Sequence, residues 1–161
     1  MDTQIKSFTH VTKAKDILPN KLSDLILVAL SDLKAVEKVK AYKIDMGKWH
    51  ALNSSETACQ VCQAGVVMAR SLDCPIGSDV TPSDYPRSIN RKLIALDSVR
   101  EGSISDALYL MGIKVKTVDQ SNLVDELDEG KGVSYSSYDK DPAKYKRYLL
   151  QVSKKLKAVG L

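Results

Sequence analysis

Apolar residues recur every three or four positions in several segments of the chain, and this spacing predicts amphipathic helices. In the clearest segment, PNKLSDLILVALSDLKAVEKVK, one helical face would carry Leu22, Leu25, Ile26, Ala29, Leu30 and Leu33. Leu27 and Val28 widen this face, so we expect the helix to lie at the centre of the fold. Pro19 and Asn20 suit its start.

Four later segments also predict helices, and most of them carry capping signals. Pro86 precedes a helix marked by apolar residues up to Val99, and Gly102 is placed to end it. Ser103 to Gly112 predicts a short helix that forms a hairpin with it, and SNLVDELDEG predicts an acidic helix. The C-terminal segment 141–159 predicts a basic amphipathic helix, with Asp141 as its cap and Pro142 in its first turn.

Alternation of apolar and polar residues, which favours strands, is confined to short stretches at 42–46, 113–118 and 133–138. The predicted fold class is therefore mainly α: a compact single-domain helical bundle over residues 1–161, with a leading segment at 1–18. A two- or three-stranded sheet built from the three stretches is the alternative, which would make the fold α+β.

Composition narrows the class of protein without identifying it. The chain has 161 residues, 43% hydrophobic and 27% charged, as expected of one globular domain. A net charge of +4 permits an acidic partner but does not require one. The N-terminus lacks the apolar core of a signal peptide, and the longest apolar run, LILVAL, is too short to span a bilayer. We expect a cytoplasmic protein without membrane association, whose oligomeric state the sequence leaves open.

Residues 48–75, KWHALNSSETACQVCQAGVVMARSLDCP, hold the only Trp, one of two His and all three Cys. An odd number of cysteines is typical of reduced thiols rather than a disulfide framework. We expect Ser54, Ser55 or Thr57 to cap a helix that runs to about Leu72. On it, a stripe of small residues would pack against the helix that begins near residue 22: Ala58, Cys62, Gly65 and Ala69.

The same segment allows three chemical alternatives. One nitrogen and three sulfur ligands could bind zinc, namely His50, Cys59, Cys62 and Cys74, although a second CxxC or HxxxH is missing. The single CxxC could be a redox pair. His50 could also activate Cys59 as a nucleophile, with Asp45 orienting the imidazole. Because none of these constellations is complete, the sequence leaves catalysis open and favours a protein without it.

The C-terminal segment interleaves tyrosines with basic residues, a combination that single-stranded nucleic acids require. The basic candidates are Lys144, Arg147, Lys154 and Lys155. Tyr145 and Tyr148, however, share the apolar face, so a solvated basic helix surface is the simpler interpretation.

Trp49 and His50 stand together in a predicted loop, next to Lys48 and close to Asp45. We predict these four residues as the binding residues, on a surface formed by the loops 46–55 and 76–86. A small metal- or ligand-binding pocket built on Trp49, His50 and Cys59 is the alternative.

Two patterns carry a resemblance to a known group of proteins. The first is W-H followed by C-x-V-C-x-A-G-x-V-M-A, and the second is A-L-D-x-x-R-x-G, both within about residues 42–111. Together they resemble a group of small proteins, without an assigned activity, that tailed bacteriophages encode. The resemblance implies an accessory protein that acts in the cytoplasm of an infected bacterium. We therefore predict that the chain binds a host or defence-system protein and needs no cofactor.

Overall fold

The computed structural model describes residues 18–161, so nearly all of the predicted leading segment lies outside the described residues. The helices are α1 (Leu22–Val36), α2 (Gln63–Arg70), α3 (Arg87–Glu101), α4 (Ile104–Leu110), α5 (Val118–Glu129), α6 (Ser137–Lys140) and α7 (Pro142–Ala158). The strands are β1 (Tyr42–Ile44), β2 (His50–Leu52) and β3 (Cys59–Val61), and a 3-10 turn spans Pro82–Asp84. The predicted class, mainly α with a small sheet, is confirmed.

Helix α1 lies at the centre of the core as predicted, but Leu27, which was expected to widen its apolar face, is 36% exposed. Its inward side chains, including Leu25, Ile26 and Leu33, are fully buried. It packs against α7 and α2, and Ser153 Oγ of α7 donates to the Ser23 carbonyl at 2.8 Å. No helix within the described residues is long and apolar enough to cross a membrane.

Helices α3 and α4 form the predicted hairpin, and Gly102 allows its sharp connection. This residue ends α3 with a φ of 81°, in the left-handed region that favours glycine. It also lies against Gly132, because a Cβ on Gly102 would come within 2.3 Å of the Gly132 nitrogen. The Val133 N–H donates to the Arg100 carbonyl at 2.7 Å, which holds the loop after α5 against the end of α3.

The sheet has the order β1–β3–β2, with β1 parallel and β2 antiparallel to β3. The prediction of a strand in 42–46 is confirmed, whereas the strands predicted at 113–118 and 133–138 are wrong. Val115 is 41% exposed and pairs with none of the strands in the described part of the chain, and Thr117 caps α5 by accepting from the Gln120 N–H. Residues 133–136 belong to the loop after α5, in which the Val133 N–H donates to the Arg100 carbonyl, and α6 begins at Ser137.

The helix predicted to start near Thr57 begins only at Gln63. Cys59 lies in β3 and its N–H donates to the Ala41 carbonyl, while Asn53 Oδ1 holds the preceding turn by accepting from the Thr57 N–H. Ala58 and Cys62 are therefore not on a helix, so the predicted stripe of small residues does not form.

Gly65 has a packing reason that differs from the predicted one. Helix α2 does pack against α1, but a Cβ on Gly65 would lie 1.8 Å from the Trp49 carbonyl oxygen. The absent side chain makes room for the backbone that leads into β2, and the expectation that it makes room for a neighbouring helix is wrong.

Candidate functional site

The structure divides the predicted Trp49–His50 pair between two places. His50 opens β2 and its side chain is buried, with 1% exposed. Trp49, one residue earlier, is half-buried and borders a surface pocket. Successive side chains along a strand point to opposite faces, so adjacent residues at its start can serve different sites.

The buried side contains a cluster of His50 and two thiols. His50 Nδ1 lies 2.6 Å from the Ser78 carbonyl oxygen. Because a carbonyl oxygen only accepts, Nδ1 carries the proton of the ring. Cys59 Sγ lies 3.6 Å from Nδ1 and Cys74 Sγ lies 3.9 Å from it. The structure thus brings together three of the four predicted zinc ligands.

Burial keeps all members of this cluster uncharged. It lowers the pKa of His50 and raises the pKa of Cys59, and it raises the pKa of Cys74 to about 11. A nucleophilic or redox-active cysteine needs a lowered pKa, since the thiolate is the reactive form. The arrangement opposes the predicted activation of Cys59 by His50.

Cys62, the fourth predicted ligand, has a different role. Its sulfur accepts from the Gly65 N–H at 3.4 Å and so caps α2, and burial raises the pKa of this thiol to about 12. Across residues 18–161, no group of three or more histidine, cysteine or acidic side chains is arranged to hold a metal ion. The four-ligand zinc site stays a prediction that would require Cys62 to leave the helix cap.

The pocket beside Trp49 is an open site that the sequence partly anticipated. It has a volume of about 90 Å³. Two of the predicted binding residues, Lys48 and Trp49, line it, and Met46 and Cys62 are also part of its lining. Asp97 of α3 and Tyr135 of the loop after α5 complete it.

A tight turn fixes the Lys48 side of this pocket. Asp45 Oδ1 accepts from the Gly47 N–H at 2.9 Å, and the Lys48 N–H donates to the Asp45 carbonyl at 3.1 Å. The second carboxylate oxygen of Asp45 accepts from Gln60 Nε2 at 3.1 Å. Asp45, a predicted binding residue, therefore supports the turn that presents Lys48 and Trp49.

Arg100, which is 3% exposed, fixes the side of the pocket opposite Lys48. Its Nε donates to Asp97 Oδ1 at 3.1 Å and its Nη1 donates to the Val133 carbonyl at 3.1 Å. The guanidinium carbon also lies 4.0 Å from the centre of the Tyr135 ring, a cation–π contact. One buried side chain thus orients both the carboxylate and the aromatic ring of the pocket.

Sequence reasoning missed Asp97 and Tyr135 because they approach Trp49 only in the folded chain. Tyr135 is 57% exposed, and in sequence it belongs to a loop rich in small polar residues. The A-L-D-x-x-R-x-G pattern was the one available signal, since it contains both Asp97 and Arg100.

The predicted nucleic-acid residues lie on the outer face of α7. Lys144, Arg147, Lys154 and Lys155 are all exposed, and Lys155 pairs with Glu126 at 3.3 Å. The tyrosines required for stacking are turned inward. Tyr145 is buried, and the Tyr148 hydroxyl donates to the Val99 carbonyl at 2.7 Å.

Comparisons of this chain with protein-family models, with curated proteins and with solved structures find no match. The bacteriophage resemblance consequently stays a prediction from the sequence patterns, and a functional assignment depends on the geometry of the pockets.

Proposed function

We propose that this protein is a phage-type accessory protein of the bacterial cytoplasm, which binds a host or defence-system protein without catalysis. The observation that carries the proposal is the open pocket between Trp49 and Tyr135. It offers a partner aromatic surface, the Lys48 ammonium and the Arg100-paired carboxylate of Asp97, whereas the His50 cluster is buried and uncharged.

The size of the pocket favours a protein partner over a cofactor. Pockets for small molecules usually measure about 300–1,000 Å³, and this one measures about 90 Å³. Such a volume suits one inserted side chain. Tryptophan and tyrosine are enriched among the interface residues that contribute most to binding energy.

The charges and the rigidity of the site support the same function. Lys48 lines the pocket with an ammonium group, and Asp97 lines it with a carboxylate that is paired with Arg100; this donor and this acceptor suit the mixed polarity of a polypeptide segment. The turn at Asp45 and the contacts of Arg100 hold the lining in place before a partner arrives. A pre-organised site loses less conformational entropy on binding.

Affinity purification from bacterial lysate, with matched tyrosine variants as bait, tests the proposal. Tyr135→Ala removes one wall of the pocket and should lose a partner that the unmodified protein retains. Tyr109→Ala is the control, because Tyr109 is 76% exposed on α4 and is not part of this pocket. A partner retained equally by both variants, or no specific partner at all, would contradict the proposal.

The retained partner then allows a direct measurement. Trp49 is the only tryptophan of the chain, and it borders the pocket. Titration with a partner that lacks tryptophan should change the emission of Trp49 in the Tyr109→Ala variant. The change should be much weaker in Tyr135→Ala.

A further inference from the structure

A second and larger pocket lies between the start of α3 and the end of α4. Its volume is about 470 Å³, within the range of pockets that bind small molecules. One part of its lining is basic, with Arg87, Arg91 and Lys92, and another part is apolar, with Leu110 and Met111. The proposed partner-binding function does not use this pocket.

The two arginines of the basic part have no carboxylate partner among the described residues. None of the described lining residues is acidic, and neither Arg87 nor Arg91 forms an ion pair with a described residue. Lys92 is largely buried, and its Nζ donates to the Leu18 carbonyl and to Asn20 Oδ1, each at 3.0 Å.

The two arginines are spaced to act together on one anion. Residues four apart lie on the same face of a helix, where two like charges repel each other in the absence of an anion. Guanidinium groups bind phosphate oxygens through paired, charge-assisted hydrogen bonds. Ser88 adds a hydroxyl to the same lining, so a phosphate placed here could have several donors.

The apolar part of the pocket narrows the class of ligand. Leu110 and Met111 are half-buried beside the basic side chains, and a bare phosphate would leave their surface uncovered. We propose that this pocket binds a nucleotide, with its phosphates on Arg87 and Arg91 and its base against Leu110 and Met111.

Calorimetric titration of the full chain with ATP tests this proposal, with pyrophosphate and adenosine as comparison probes. ATP should bind more tightly than either probe. The double variant Arg87→Gln/Arg91→Gln should weaken ATP binding roughly tenfold or more, since it removes the charge-assisted hydrogen bonds to phosphate. The matched control Arg147→Gln/Lys154→Gln, which removes two exposed charges of α7, should change the affinity by less than about twofold because salt screens distant charges.

Three results would overturn the proposal: no binding of ATP, equal weakening by both double variants, or binding of pyrophosphate as tight as that of ATP. The last result would show that the apolar part contributes nothing and that no nucleotide is selected. The two sites are separable, because Arg87→Gln/Arg91→Gln should retain the protein partner and Tyr135→Ala should retain ATP binding.

Discussion

Substitution of Gly65 by alanine gives the sharpest test of how the sheet and α2 are joined. In an ordinary helix interior, alanine is more favourable than glycine by about 1 kcal/mol, so propensity alone predicts stabilisation. Here the new Cβ would lie 1.8 Å from the Trp49 carbonyl oxygen and 3.0 Å from Val61 Cβ. We expect Gly65→Ala to be destabilising instead.

The size of the effect follows from how far the backbone must move. Contacts of a Cβ below 3.0 Å essentially do not occur, so α2 and the Trp49 carbonyl would have to separate by at least 1.2 Å. A backbone oxygen cannot rotate away as a side chain can. Overpacking of a core costs about 1–3 kcal/mol, and a backbone clash of this size belongs at the upper end of that range. Since the higher helix propensity of alanine offsets about 1 kcal/mol, we expect the free energy of unfolding to fall by about 2 kcal/mol.

Urea unfolding of both proteins, followed by far-ultraviolet circular dichroism, measures the free energy of unfolding. Gly130→Ala is the control, because Gly130 has a φ of −72° and a Cβ there would meet only backbone oxygens, at 3.1 Å and beyond. The control should change stability by no more than about 0.5 kcal/mol. A Gly65→Ala protein as stable as the unmodified one would refute the proposed close approach.

Three further predictions concern the His50 cluster and the separately buried thiol of Cys62. At pH 8 the thiols of Cys59, Cys62 and Cys74 should react with a thiol reagent only after denaturation, because burial raises the pKa of each; rapid labelling of the native protein would show that a thiolate is exposed. The pKa of His50 is lowered in the folded state, so below about pH 6.5 the unfolded chain takes up a proton that the folded chain does not. The contribution of His50 to the free energy of unfolding should therefore be fully present above that pH, and the free energy of unfolding should fall by up to ~1.4 kcal/mol per pH unit below it. The substitution His50→Gln should reduce this slope in unfolding measurements. Protein incubated with excess zinc and then desalted should retain far less than one equivalent by elemental analysis, whereas one equivalent would show that Cys62 leaves its cap to complete a site.

Local signals in the sequence were enough to predict most of the helices. Asp141 and Pro142 mark the start of α7, and Gly102 marks the end of α3, because capping and the left-handed conformation depend on few neighbouring residues. The residues that begin or end these helices lie within or next to them, so the positions of the helices agree with the sequence patterns.

The segment around the CxxC could not be predicted because distant residues decide its structure. Cys59–Val61 is a strand only because β1 and β2 pair with it on both sides. The cap of α2 is a thiol, which is not among the usual capping side chains. The serines that suggested an earlier start lie in the turn between β2 and β3.

The candidate site could be predicted only in part. Lys48 and Trp49 were named from their place in the loop, and both line the pocket. Tyr135 follows Trp49 by more than eighty positions, and its place depends on Arg100. Residues that come together only through tertiary contacts have no regular spacing in the sequence, so their proximity could not be predicted from it.

The contact between Gly102 and Gly132 has a consequence for how such a protein could diversify. A Cβ on either residue would meet the backbone of the other within 2.3 Å, so neither position could accept another residue unless its neighbour moved. Positions 134–136, only two to four residues beyond Gly132, are exposed. Natural variants could therefore alter the Tyr135 wall, and with it the specificity of the proposed partner-binding site, while both glycines stay constant and the core keeps its packing.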